Sequence, residues 1–316
     1  MPDVRGTDKR ERLRYRLEAI PAYRDQHGEE PMEIKSVGVV GAGTMGNGIA
    51  QIFALGGFDV IMRDIKQQFV DRGMKTVQKN LERMATRGKI SPEDKDAALG
   101  RITTTTKIDP LADRDLVVEA IIEDVDAKRE LIQVLDAVCH DDAILATNTS
   151  SISITKIAAA SKHPQRVCGM HFFNPVPVMQ LVEIIRALQT ADEVCTAIED
   201  ATRAIGKTPH QIKDSYGFVV NRVLVPMINE AINCLYEGLT APEEIDAVMR
   251  LGANHPMGPL SLADLIGLDI VLDIMETLYQ GFDDPKYRPS PLLKQMVDAG
   301  YLGRKTGRGF FKYSNG

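Results

Sequence analysis

The sequence predicts an α/β protein, with a Rossmann-like, mostly parallel sheet first and an all-α domain after it. Three observations carry this. An apolar run at 37–40 leads into Gly41-Ala42-Gly43-Thr44-Met45-Gly46 and then into a helical pattern. Short apolar runs alternate with helix-length patterns as far as residue 214, as strands joined by crossover helices do. Beyond Asp214 the patterned segments are all helix-like and are separated by Gly and Pro.

Taken in order, the strand at 37–40 is followed by a helix at 45–55, stopped by Gly56-Gly57, and by a strand at 59–63. A helix is expected over 77–86. Further strands are expected at 116–120, 143–147 and 167–170, with a helix at 124–138 between the first two. The later helices fall at 221–237, 242–249, 261–266, 270–279 and 292–299. Pro242 suits a first helical turn, with Thr240 as its expected cap. The resulting division is a charged extension at 1–31, a nucleotide-binding domain at 32–214 and a helical domain at 215–316. Within the extension, Leu13, Leu17 and Ile20 stand at helical spacing before Pro21 and suggest a short amphipathic helix or an arm, and Met32 stands where an ancestral start would fall.

Composition narrows the function. At 316 residues and 44% hydrophobic content the chain can build two ordinary domains with real cores. Its net charge of -6 comes from interleaved acids and bases, which argues against nucleic acid as the main partner. Cys139, Cys168, Cys195 and Cys234 are far apart without a Cys-x-x-Cys pair, so reduced, buried thiols are expected rather than disulfides, and no metal site. No apolar run approaches the roughly 20 residues that cross a bilayer, and the N-terminus has no apolar leader core. A soluble cytoplasmic protein is expected.

The glycine loop has the order that dinucleotide binding requires. Gly41 permits the tight turn, Gly43 lets phosphates approach the backbone, and Gly46 lets the helix pack closely, while Thr44 and Met45 open the helix whose N-terminus favours anions. Asp64, at the end of the next strand, is placed to accept bonds from ribose hydroxyls and to repel a 2′-phosphate. NAD is therefore expected as cofactor, with NADP the alternative because Arg63 is adjacent.

His171-Phe172-Phe173-Asn174-Pro175, followed by Glu183, supplies a base and a carboxylate to orient it. Removing hydride from a secondary alcohol requires loss of its hydroxyl proton, and an imidazole, with a reference pKa of about 6.5, suits that task without a metal. Glu183 sits in Leu181-Val182-Glu183-Ile184-Ile185, where a buried carboxylate needs a partner. By residue type alone, Ser150 is a loop or cap residue and Asn221 a helix cap.

Together with Thr147-Asn148-Thr149-Ser150-Ser151 and Gly217-Phe218-Val219-Val220-Asn221-Arg222, these motifs make the chain resemble the L-3-hydroxyacyl-CoA dehydrogenases from about residue 34 to the C-terminus. Arg63-Asp64-Ile65, Phe69-Val70-Asp71-Arg72-Gly73, Asn254-His255-Pro256-Met257-Gly258-Pro259 and Gly303-Arg304-Lys305 are similar to the bacterial and archaeal short-chain 3-hydroxybutyryl-CoA dehydrogenases. The resemblance implies a substrate cleft between the domains, a homodimer formed by the helical domain, and an acyl-CoA substrate. It implies catalytic roles for His171, Glu183, Ser150 and Asn221, the last two bonding the substrate's C3 oxygen, and cofactor contacts for Glu123 and Lys128. The phosphates of coenzyme A turn attention to Arg83 and Arg87, four apart on the expected helix, with Lys79 nearby. The competing expectations are a non-catalytic dinucleotide-binding protein like the λ-crystallins, and another two-domain β-hydroxyacid dehydrogenase, which would want a catalytic lysine in place of His171.

Overall fold

Eight strands form one sheet: β1 (Ser36–Val40), β2 (Asp59–Arg63), β3 (Ile102–Thr105), β4 (Leu116–Glu119), β5 (Ile144–Thr147), β6 (Val167–Phe172), β7 (Leu181–Arg186) and β8 (Thr208–Lys213). The computed structural model describes residues 32–313, so the expected helix around Leu13, Leu17 and Ile20 lies outside the described residues. The order is β3-β2-β1-β4-β5-β6-β7-β8. β1, β4, β5 and β6 are buried almost throughout, because helices cover both faces of a parallel sheet. The strand order reverses between β1 and β4, and ligands of such sheets bind at the carboxyl ends of the strands beside that reversal. β7 departs from the parallel pattern and runs antiparallel to β6, with β8 parallel to β7.

The connecting helices are α1 (Thr44–Leu55), α2 (Gln67–Thr86), α3 (Pro92–Gly100), α4 (Val125–Val138), α5 (Ile154–Ala158) and α6 (Asp192–Ala204). α1 and α4 stop where the sequence places them and start within one residue of the expected positions, α4 being capped by Asp124, whose side chain accepts from the N–H of Ala127 at 2.8 Å. α2 is longer than expected, beginning at Gln67, and α3, α5, α6, β3 and β8 were not anticipated.

The helical half consists of α7 (Val220–Tyr236), α8 (Pro242–Gly252), α9 (Pro259–Ile266), α10 (Leu268–Phe282) and α11 (Pro291–Asp298). Ile228, Ile232, Leu260, Val271, Met275 and Leu278 are central to its core. Pro242 does open α8, but Ala241 occupies the cap position and Thr240 does not cap it. Asp264 of α9 ties down the C-terminal segment, accepting from the N–H groups of Phe310 and Phe311 and from the Tyr313 hydroxyl. Burial and that carboxylate push the Tyr313 phenol up to about 12. The four cysteines are free; Cys139, Cys168 and Cys195 are buried and Cys234 is half-buried.

Candidate active site

The glycine loop lies at the carboxyl end of β1, beside the reversal point. Gly41 has φ +104°, and a Cβ there would stand 2.4 Å from the Ala120 carbonyl. A Cβ on Gly46 would meet the Gly41 carbonyl at 1.7 Å, so this contact admits only glycine. Gly43 differs, since a Cβ there would meet nothing within 4 Å. Gly43 and Thr44 are exposed, and α1 begins without a side-chain cap, which leaves its first N–H groups for an anionic ligand. Met45 is half-buried behind them. Asp64 braces the loop: one carboxylate oxygen accepts from the Ala42 N–H at 2.7 Å, the other from Ile65 N–H.

The next strand ends carry a buried charge network that the sequence only partly indicates. Glu119, on β4, and Lys128, on α4, are 0% and 1% exposed and meet at 2.6 Å. The second Glu119 oxygen accepts from the Thr147 hydroxyl. Lys128 also reaches Glu123 at 3.3 Å. Glu123 in turn accepts from Thr149 Oγ1, from the Ser150 N–H and from the Ser150 hydroxyl. Desolvation works to raise the Glu123 carboxyl, but the Lys128 ammonium and the bonds from Thr149 and Ser150 outweigh it and hold the group below the ordinary carboxylate range. Thus Glu123 and Lys128 belong to one assembly that orients the Ser150 loop. Glu119 was missed because strand patterning marks its place in β4 and not its bonds.

His171 and Glu183 are directly opposed in the antiparallel pairing of β6 with β7, so their side chains share one face. Nδ1 and Oε2 are 2.8 Å apart, and the residues are 5% and 1% exposed. The other Glu183 oxygen accepts from the N–H groups of Val219 and Val220 at the start of α7, at 3.3 and 3.1 Å. An ionised Glu183 accepts on both oxygens, and with that carboxylate the 2.8 Å contact puts an imidazole proton on Nδ1 and leaves the lone pair on Nε2. Phe173 and Phe218 flank the ring, with centroids at 4.4 and 5.5 Å. Asn221, in the first turn of α7, donates to the Ser150 carbonyl at 3.0 Å. It therefore joins the helical half to the sheet half instead of capping its helix.

A cavity of about 650 Å³ lies between α1, α2 and the segment that follows His171, lined on one side by the glycine loop; His171, Glu183, Ser150 and Asn221 are not in its lining. Arg83 and Arg87 both line it, as do Arg72 and Lys89, which sequence patterning did not single out. Two corrections apply. Arg87 is the residue that ends α2 and is not within the helix, and Lys79 is exposed and lies outside the lining.

The family models decide the relationship: one for the NAD binding domain of 3-hydroxyacyl-CoA dehydrogenase matches residues 36–215, and one for its C-terminal domain matches residues 217–313. The chain belongs to the 3-hydroxyacyl-CoA dehydrogenase family. It is similar to a probable 3-hydroxybutyryl-CoA dehydrogenase of Deinococcus radiodurans, with 54% identity over 87% of this chain and 99% of the relative. A 3-hydroxybutyryl-CoA dehydrogenase of Bradyrhizobium diazoefficiens is 51% identical over 89% of this chain and 96% of the relative. Among solved structures, (S)-3-hydroxybutyryl-CoA dehydrogenase from Ralstonia eutropha aligns with a TM-score of 0.88 and 54% identity, covering 90% of this chain and all of that one. The family's cofactor, NAD, fits the glycine loop, where Gly43 is open, Gly41 and Gly46 admit no Cβ, and α1 presents unpaired donors.

Proposed function

We propose that this family member interconverts (S)-3-hydroxybutyryl-CoA and acetoacetyl-CoA, with His171 as the proton acceptor and donor. The observation that carries the proposal is the buried 2.8 Å contact between His171 and Glu183, with Glu183 also accepting from Val220 N–H, one residue before Asn221, which in turn reaches Ser150. NAD supplies the acceptor for the hydride that leaves the alcohol carbon. His171 Nε2 takes the hydroxyl proton during oxidation and returns it during reduction. Glu183 holds the ring in the tautomer that leaves Nε2 free, and its charge stabilises the imidazolium that forms. Ser150 and Asn221 polarise the substrate's C3 oxygen. Glu123 and Lys128 hold the Ser150 loop and border the cofactor, and Asp64 favours a ribose hydroxyl over a phosphate.

The cavity between α1, α2 and the segment after His171 suits a phosphorylated thioester, since Arg72, Arg83, Arg87 and Lys89 are among its lining. Residues 32–214 are assigned to NAD and residues 215–316 to the cleft and dimerisation. Val223, Leu239, Val248 and Leu251 are exposed by 58–86% on the helical half, and a second copy is the partner assigned to cover them. Among the described residues, no helix is long and apolar enough to cross a membrane, and the cytoplasm is the assigned compartment. Following NADH absorbance on mixing with acetoacetyl-CoA tests the activity, and longer acyl chains and NADPH test its selectivity. Absence of turnover would leave a binding protein. Light scattering that gave a monomer mass would remove the dimer.

A further inference from the structure

We propose that Lys207 is a positioning residue for the acyl-CoA cleft, holding the segment 174–180 that walls the cavity through the carbonyls of Val176 and Met179. The proposal rests on the reading that this cavity takes the coenzyme A thioester. Lys207 lies between α6 and β8, is 7% exposed, and donates from Nζ to Val176 O at 2.8 Å and Met179 O at 2.7 Å. Burial lowers its pKa, with no neighbouring acid opposing the effect. Taking an ammonium out of water without a carboxylate is costly. The two carbonyls it meets are the only compensation on view among the described residues.

Those carbonyls need it. Pro175 and Pro177 carry no N–H, and the N–H groups of Val178 and Met179 both turn back onto Pro175 O. Among the described residues no backbone N–H reaches Val176 O or Met179 O. The segment is thus an irregular stretch tied at two points by one side chain. Val176 is only 2% exposed and abuts α1 so closely that a Cβ on Gly48 would lie 2.8 Å from its own Cβ. Moving Val176 alters the gap between α1 and the segment, which is the cavity. The segment starts three residues after His171, but the dyad itself is held by the β6–β7 pairing. Lys207 therefore acts on substrate binding and not on proton transfer.

The test compares wild type, Lys207→Met and Lys207→Gln as full chains, by calorimetric titration with coenzyme A and by steady-state reduction of acetoacetyl-CoA. Lys207→Met is expected to raise Kd for coenzyme A and KM for acetoacetyl-CoA at least about tenfold, with kcat and KM for NADH within about threefold of wild type. Lys207→Gln keeps an NH2 donor on a shorter, uncharged side chain and is expected to show the same split at smaller size, which decides the matter should Lys207→Met fail to fold. A folded Lys207→Met with wild-type Kd and KM overturns the proposal, as does a fall in kcat, NADH affinity and melting temperature together. If wild type turns over acetoacetyl-CoA and the variants show no split, only the role of Lys207 is lost. If wild type neither binds coenzyme A nor turns over the thioester, the functional reading fails and takes this proposal with it.

Discussion

Replacing Glu183 with glutamine is the sharpest test of the site, because the carboxylate accepts on both oxygens. One faces Nδ1 of His171 at 2.8 Å and the other faces the N–H groups of Val219 and Val220. An amide accepts on one side only. If its oxygen faces the ring, its NH2 opposes the two donors of α7, and a buried donor without an acceptor costs about 1–3 kcal/mol. If its NH2 faces the ring, Nδ1 must give up its proton and Nε2 is no longer the base. Either way the negative charge that stabilises the imidazolium is gone. A hydrogen bond to a charged group contributes about 1.5–3 kcal/mol, which corresponds to roughly 10- to 150-fold in kcat. The assay is kcat for acetoacetyl-CoA reduction at saturating NADH, paired with a thermal melt, where the lost α7 contact should lower Tm by a few degrees. A variant with kcat within about threefold of wild type and an unchanged melt would refute the role of Glu183 in both places.

Four further substitutions probe the other parts. His171→Ala should lower kcat by about 10²-fold or more while NADH binding, followed by fluorescence titration, stays near wild type; retained turnover would remove the proton-transfer assignment. Asp64→Ala should weaken NADH use and narrow the preference over NADPH, because it removes both the ribose acceptor and the brace on Ala42, and an unchanged ratio of kcat/KM for the two cofactors would show that Asp64 does not read the ribose. Gly43→Ala and Gly46→Ala should fail differently: the first leaves the melt nearly unchanged but weakens NADH binding, whereas the second collides with the Gly41 carbonyl and lowers soluble yield. Equal behaviour of the two glycine variants would contradict the open approach assigned to Gly43.

What the sequence made legible follows from where signals are strong. Central strands are buried on both faces and read as apolar runs, so β1, β2, β4, β5 and β6 could be placed. The strands that went unread, β3 and β8, are the two edges of the sheet. β3 is a short run of Ile102 and three threonines, and β8 carries Pro209 and is largely exposed, so neither has an apolar face to announce it. The residues proposed for catalysis came from motif and resemblance. Its supports were not: Glu119 and Lys207 lie far in sequence from the groups they hold, and nothing in local patterning links Lys207 to Val176 or Glu119 to Thr147. Arg72 and Lys89 escaped notice because the cavity wall is assembled from α2 and the turn after it, while patterning identifies only the face of a helix.

The antiparallel return of β7 has a consequence for mutation. A parallel neighbour would need a crossover of about a dozen residues or more between the base and its carboxylate, whereas this chain bridges them with a short link that doubles as the cavity wall. The opposition of His171 and Glu183 is held by main-chain pairing and does not depend on what the link contains. On the proposed reading, substitutions within the link would alter the cavity wall while leaving the opposition of His171 and Glu183 to the β6–β7 pairing.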